Sequence, residues 1–143
     1  MVTISRSALV EYSAQQMFDL INDVESYPEF MTGCLAAELI EKTDVILEAR
    51  LTLGKSTFQQ SFVTRNELFP PERMVMRFVE GPFRFFEGHW QFQALSDTAC
   101  KVSLELEFEF ANPIVAMTVG KWFEETAGQQ VDALCDRASV VYS

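Results

Sequence analysis

From Cys34 to Phe110, apolar and polar residues alternate with a period of two, whereas residues 14–31 and 113–142 carry a helical period. The two periods separate strands from helices, because side chains alternate faces along a strand and recur every three or four residues on a helix. The clearest strand has Val102, Leu104, Leu106, Phe108 and Phe110 facing one way and Ser103, Glu105, Glu107 and Glu109 the other. Leu35 to Lys42 forms an earlier strand and Thr43–Asp44 a turn, after which Val45, Leu47, Ala49, Leu51 and Leu53 alternate with Ile46, Glu48, Arg50 and Thr52. Gly54–Lys55 reads as the next turn. Thr57 to Asn66 is again a strand, with Phe58, Gln60 and Phe62 on one face, and Pro70–Pro71 breaks the pattern. Arg73 to Val79 resumes it with Met74, Met76 and Phe78 on one side. Gly81–Pro82 bends the chain into a strand ending near Leu95, in which Gly88, Trp90 and Phe92 oppose Glu87, His89 and Gln91; Ser96–Asp97 turns it back.

Residues 2–12 are rich in β-branched side chains and predict a first strand. Ser13 is placed to cap a helix from Ala14 to Asn22, whose stripe is Met17, Phe18, Leu20 and Ile21. A second short helix begins around Ser26–Pro28, buries Tyr27, Phe30 and Met31, and ends at Gly33. Asn112–Pro113 opens a long helix reaching Tyr142, with weak points at Gly120 and Gly128. Its stripe is Phe123, Ala127, Val131, Leu134, Cys135, Ala138 and Val141. An antiparallel sheet with one polar face must cover its apolar face, and only this helix is long enough to do so. The expected fold is therefore α+β, a single domain over residues 1–143. A curved antiparallel sheet of about seven strands wraps the long C-terminal helix, with two short helices after the first strand.

Charge narrows the range of partners. The formal net charge is -10, and the basic residues Lys42, Arg50, Lys55, Arg65, Arg73 and Arg77 are scattered singly. Such a surface repels phosphate backbones at long range, so direct DNA binding is not expected. Cys34, Cys100 and Cys135 form no CxxC pair and no metal-ligand spacing, and are expected to be reduced core residues of a cytoplasmic protein. No apolar run approaches the ~18 residues of a membrane span.

Thirteen phenylalanines exceed what a core of this size requires, and five aromatic residues crowd into Glu80–Phe92. Packed core is the ordinary reading of any one of them. As a set they suggest the wall of a cavity where the strands splay from the helix. The candidate lining is Phe30, Met74, Met76, Phe78, Phe83, Trp90, Phe92, Leu104, Leu106, Phe108, Met117 and Phe123. An empty void of ~300 Å³ would cost about 7 kcal/mol at roughly 24 cal/mol per Å³. A cavity of that size should thus be filled by ligand, collapsed, or open to water.

Catalytic candidates are weak. His89 points outward if Trp90 points inward, and a Cys100–His89 pair would have to reach across strands. Glu105, Glu107 and Glu109 lie on a polar face, as do Arg50 and Arg77. No metal site or cofactor is expected, and no enzymatic activity. The apolar run Ile114 to Trp122 reads as a helix start packed under loops or, alternatively, as a gate toward a membrane or partner.

The chain resembles the START-like, helix-grip superfamily, and within it the family of coenzyme Q-binding proteins and ribosome association toxins. The residues carrying the resemblance are Val24-Glu25-Ser26-Tyr27-Pro28-Glu29-Phe30 with Cys34, Gly81-Pro82-Phe83 with Gly88-x-Trp90-x-Phe92, and Cys100-x-Val102. The Glu-Phe pairs at 107–110 and Val131-Asp132-Ala133-Leu134-x-x-Arg137-Ala138 complete it, so that it spans the whole chain. It implies a deep apolar cavity and a lipid-like ligand such as ubiquinone, bound without catalysis in support of respiration, with transient membrane contact. For the toxin branch it implies binding to the large ribosomal subunit, which blocks subunit joining. Either role is cytoplasmic, the first with a peripheral position at the inner face of the membrane.

Overall fold

The computed structural model describes residues 1–142. After β1 (Val2–Val10) come α1 (Ala14–Asn22), a 3-10 turn (Val24–Ser26) and α2 (Tyr27–Phe30). The meander follows: β2 (Cys34–Lys42), β3 (Ile46–Lys55), β4 (Phe58–Phe69), β5 (Arg73–Glu80), β6 (Phe83–Ser96) and β7 (Ala99–Phe110). The helices α3 (Pro113–Gly128) and α4 (Gln130–Val141) end the chain. All seven strands form one antiparallel sheet in the order β1-β7-β6-β5-β4-β3-β2.

Local signals set the helix starts. The Ser13 hydroxyl accepts from Gln16 N at 3.1 Å, while the Gln16 side chain accepts from Ser13 N at 2.9 Å, a reciprocal cap. Asn112 Oδ1 accepts from Ile114 N at 2.8 Å, and Pro113 fills the first turn, where an N–H would have no partner. The C-terminal helix divides at the second of its two weak points. At Gln129 the chain tightens, with Gln129 N donating to Thr126 O at 3.1 Å, before helical bonding resumes with Ala133 N to Gln129 O. Across Gly120 the helix runs without interruption.

Two turns lie further along than the glycine and serine signals suggested. Lys55 pairs with Phe58, so the turn is Ser56–Thr57 rather than Gly54–Lys55. Gly54 belongs to the strand, where a Cβ would sit 2.2 Å from the Phe58 carbonyl oxygen; the glycine marks a close approach of backbones. Similarly, β6 runs through Ser96 and turns at Asp97–Thr98.

The inner face of the sheet holds two clusters of buried side chains. One gathers Met17, Phe18, Ile21, Leu47, Met74, Phe92, Val102 and Leu134 under α1 and α4. The other gathers Ile4, Phe62, Phe83, Phe86, Phe108, Phe123 and Ala127 under α3. The outer face is charged. Arg50 bridges Glu38 and Glu80 at 3.2 and 3.1 Å, Arg65 pairs with Glu41 and Glu48, and Arg77 with Glu67 and Glu87. Val141, expected on the buried stripe of the last helix, is 46% exposed, and the stripe continues from Ala138 to Tyr142, which packs on Tyr12 and donates to Gln16 O at 2.7 Å.

Candidate functional site

Where the two clusters meet, the sheet and α3 enclose an apolar cavity of about 90 Å³. Its floor is laid by inward positions of five adjacent strands: Ala49, Leu51 and Leu53 of β3, Phe62, Thr64 and Asn66 of β4, Met76 of β5, Phe86 and Trp90 of β6, and Leu104 and Leu106 of β7. Register brings them together, since Trp90 sits opposite both Met74 and Leu104, and Gly88 opposite Met76 and Leu106. The roof is Phe123, Thr126, Ala127 and Gln130, and one end is closed by Val24, Tyr27, Met31 and Cys34.

That end is held by specific bonds. Gln130 Nε2 donates to Thr32 O at 3.0 Å and to Thr126 O at 2.8 Å, tying the loop after α2 to the junction of α3 and α4. Gly33 adopts φ +78, and a Cβ there would lie 2.7 Å from Thr126 Cγ2. Both backbone and space require glycine, so the loop can lie flat on α3. Trp122 continues the closure, edge-on to Phe58 with ring centroids 5.0 Å apart.

The expected lining residues divide. Met76, Trp90, Leu104, Leu106 and Phe123 face the cavity. Met74, Phe92 and Phe108 are buried but sit in filled core; Phe18 packs edge-on against Phe92 at 6.1 Å and Phe123 against Phe108 at 4.9 Å. Phe83 is enclosed by the rings of Phe62, Phe78, Phe86, Phe108, Phe110 and Phe123, so it is the hub of an aromatic core rather than part of the cavity wall. Phe78 is half-buried beside it. None of Met74, Phe78, Phe83, Phe92 and Phe108 lines the cavity, and the last two expected residues lie farther from it. Met117 is 86% exposed, because the first turns of α3 project beyond the sheet and leave Ile114 exposed as well. Phe30 faces a separate open groove, under the Arg137 guanidinium 5.2 Å from its ring, because α2 turns Tyr27 rather than Phe30 inward.

Alternation overlooked the polar members of the lining. Thr64 and Asn66 share the inward parity of Phe62, and both are buried. A polar residue at an inward position of a strand was the available signal. Asn66 Nδ2 donates to Met74 Sδ at 3.5 Å, while Asn66 Oδ1 is buried without a partner. The Tyr27 hydroxyl donates to Ile21 O, satisfying a carbonyl at the end of α1, and burial pushes its pKa up. Burial likewise pushes the Cys34 thiol up to about 11. Among the described residues, no acidic or basic side chain lines the cavity.

The other chemical candidates are dispersed. Cys100 is fully buried on the inner face, whereas His89 pairs with Glu105 on the outer face, 3.5 Å from Glu87. Glu105 and Glu107 are exposed, and the cysteines are free thiols. No group of three or more potential ligands that could hold a metal occurs among the described residues.

A curved sheet gripping terminal helices over an apolar cavity defines a START-like, helix-grip protein. The chain belongs to the polyketide cyclase/dehydrase and lipid transport family, whose model matches residues 10–135. It is 44% identical to the ribosome association toxin RatA of Pseudomonas aeruginosa, over 97% of this chain and 96% of that protein. It is 25% identical to a mitochondrial coenzyme Q-binding protein of Xenopus laevis, the COQ10 homolog B, over 99% of this chain and 59% of that one. Two solved structures share the fold at TM-score 0.79. A START superfamily protein from Mycobacterium smegmatis is 19% identical, covering 97% of this chain and 98% of its own. The Zhui aromatase/cyclase from a Streptomyces species is 14% identical, covering 96% and 93%. At those identities the likeness is one of fold alone. No helix among the described residues is long and apolar enough to cross a membrane.

Proposed function

We propose that the protein is a non-enzymatic binder of an uncharged hydrophobic molecule, a quinone with its isoprenoid tail, held between the sheet and the terminal helices in support of respiration. One observation carries this reading: the cavity is walled by apolar side chains, and its few polar groups are neutral. General acid–base chemistry requires a titratable group at the reacting atoms. Here the thiol of Cys34 and the phenol of Tyr27 are both held protonated by burial. The ligand is itself the cargo, so the proposal includes no cofactor. Each buried Å² of isoprenoid tail would contribute roughly 25 cal/mol. At about 90 Å³ the cavity falls below the ~300 Å³ at which pockets enclose drug-sized ligands. Entry of a ring therefore displaces the flexible side chains of Met31 and Met76, which methionine permits at little cost. Exchange with a membrane would pass over the exposed start of α3, where Ile114 and Met117 stand.

Native mass spectrometry with lipid extraction of the purified protein, and melting with added short-chain ubiquinone, test this. A co-purifying lipid and a raised Tm are expected. No lipid and an unchanged Tm would sink the proposal.

The 44% identity to a protein named for ribosome association favours a second reading, binding to the large ribosomal subunit that prevents subunit joining. With a net charge of -10, the contact would be with basic ribosomal proteins rather than RNA. Sucrose-gradient sedimentation of lysate with added protein should show co-migration with the large subunit and loss of assembled ribosomes. Absence of either excludes this role. The two activities are compatible.

A further inference from the structure

The polar inventory of the cavity is lopsided. Most of its donors are engaged inside the protein: Tyr27 with Ile21 O, Cys34 Sγ with Ala36 O at 3.5 Å, Gln130 Nε2 with Thr32 O and Thr126 O, and one N–H of Asn66 with Met74 Sδ. The Trp90 indole N–H and the second amide N–H of Asn66 are engaged by no bond among the described residues. The threonine hydroxyls of Thr64 and Thr126 can act either way. A free acceptor remains. Asn66 is 4% exposed, lines the cavity, and its Oδ1 has no partner. The amide orientation follows from chemistry, since a thioether sulfur accepts but does not donate and must therefore face the NH₂ group. A buried acceptor without a partner is destabilising, and a ligand that brings a donor to it gains that hydrogen bond in binding. The lining holds no cation to pair with a carboxylate or phosphate, and burying an unpaired anion is far costlier than burying a hydroxyl.

We infer that the cavity selects an uncharged ring-bearing lipid through a hydroxyl that donates to Asn66 Oδ1, and so takes the reduced hydroquinone in preference to the quinone. This rests on reading the cavity as a lipid site. A quinone presents only carbonyl acceptors, which donors such as the Trp90 indole N–H can satisfy but Asn66 Oδ1 cannot use, whereas a hydroquinone hydroxyl can donate to Asn66 Oδ1 and still accept. Only binding differs between the two forms; no electron or proton is transferred by the protein. A tenfold preference would raise the two-electron potential of the bound couple by about 30 mV.

Anaerobic calorimetric titration of the full chain with a one-isoprene ubiquinol, its quinone, and the quinol dimethyl ether provides the test. The quinol should bind about tenfold tighter than both other ligands, and Asn66→Leu should bring the three within about twofold of one another. The ether removes the donors from the ligand side, so the answer does not depend on the variant folding. Equal binding of quinol and quinone, tighter binding of quinone, or a preference that survives in folded Asn66→Leu overturns the inference while leaving the lipid site intact. If none of the three binds, the lipid reading itself fails and the inference falls with it.

Discussion

At the scale of single residues the site is built from groups whose ordinary chemistry burial suppresses. Cys34 shows the consequence most directly. Its thiol is held at about 11 by desolvation, above the ~8.5 of a thiol in an unfolded chain. The folded state thus retains a proton that the unfolded state releases, so unfolding at high pH is favoured by ionisation. The contribution is fully present below ~8.5 and is lost as pH rises toward about 11. Urea denaturation of wild type and Cys34→Ala across that range should show the stability advantage of the wild type shrinking with pH. A constant difference would mean that the thiol ionises as freely folded as unfolded. For the same reason Cys34 is a poor nucleophile at neutral pH, since the thiolate is the reactive form.

At the scale of elements, strand parity was legible and depth along the strand was not. Trp90 and Phe92 share a face and lie two residues apart, yet one lines the cavity and the other is capped by Phe18 from α1. Which stretch of the inner face stays uncovered depends on where α1, α3 and α4 cross the sheet, and periodicity carries no record of that crossing. For this reason Phe83, in the crowded segment Glu80–Phe92, lies buried among its neighbours' rings instead of on the cavity wall. Asn66 escaped notice because an alternation rule scores it as a polar exception. The helix break was partly legible. Gly128 weakens propensity there, but the cap supplied by the Gln130 side chain to Thr126 O is a tertiary device. Gly120, by contrast, has no structural task visible in its surroundings. A Cβ there would meet only Phe110 Cε2 at 3.7 Å, an ordinary contact. Gly120→Ala should therefore stabilise the protein by about 0.5–1 kcal/mol through helix propensity and reduced backbone entropy. Denaturant unfolding measures it. A loss of stability would indicate that α3 needs to flex at this position.

At the scale of the whole molecule, charge and ion pairing pull in opposite directions. Arg50, Arg65 and Arg77 each engage two glutamates of other strands, but their side chains are 39%, 42% and 54% exposed. Pairs so open to solvent contribute little to stability. Against them stands a net charge of -10 spread over one small domain, with Glu105 and Glu107 on β7 carrying no arginine. Self-repulsion acts over the whole surface and is strongest when the screening length is ~30 Å, at about 0.01 M salt. At about 0.15 M the length falls to ~8 Å, which removes most of the long-range repulsion while barely touching contacts of 3 Å. Tm should therefore rise with sodium chloride over that interval. A falling Tm would mean that the arginine ladders outweigh the repulsion, and that the outer face of the sheet, rather than the excess of carboxylates, sets the electrostatic balance of the fold.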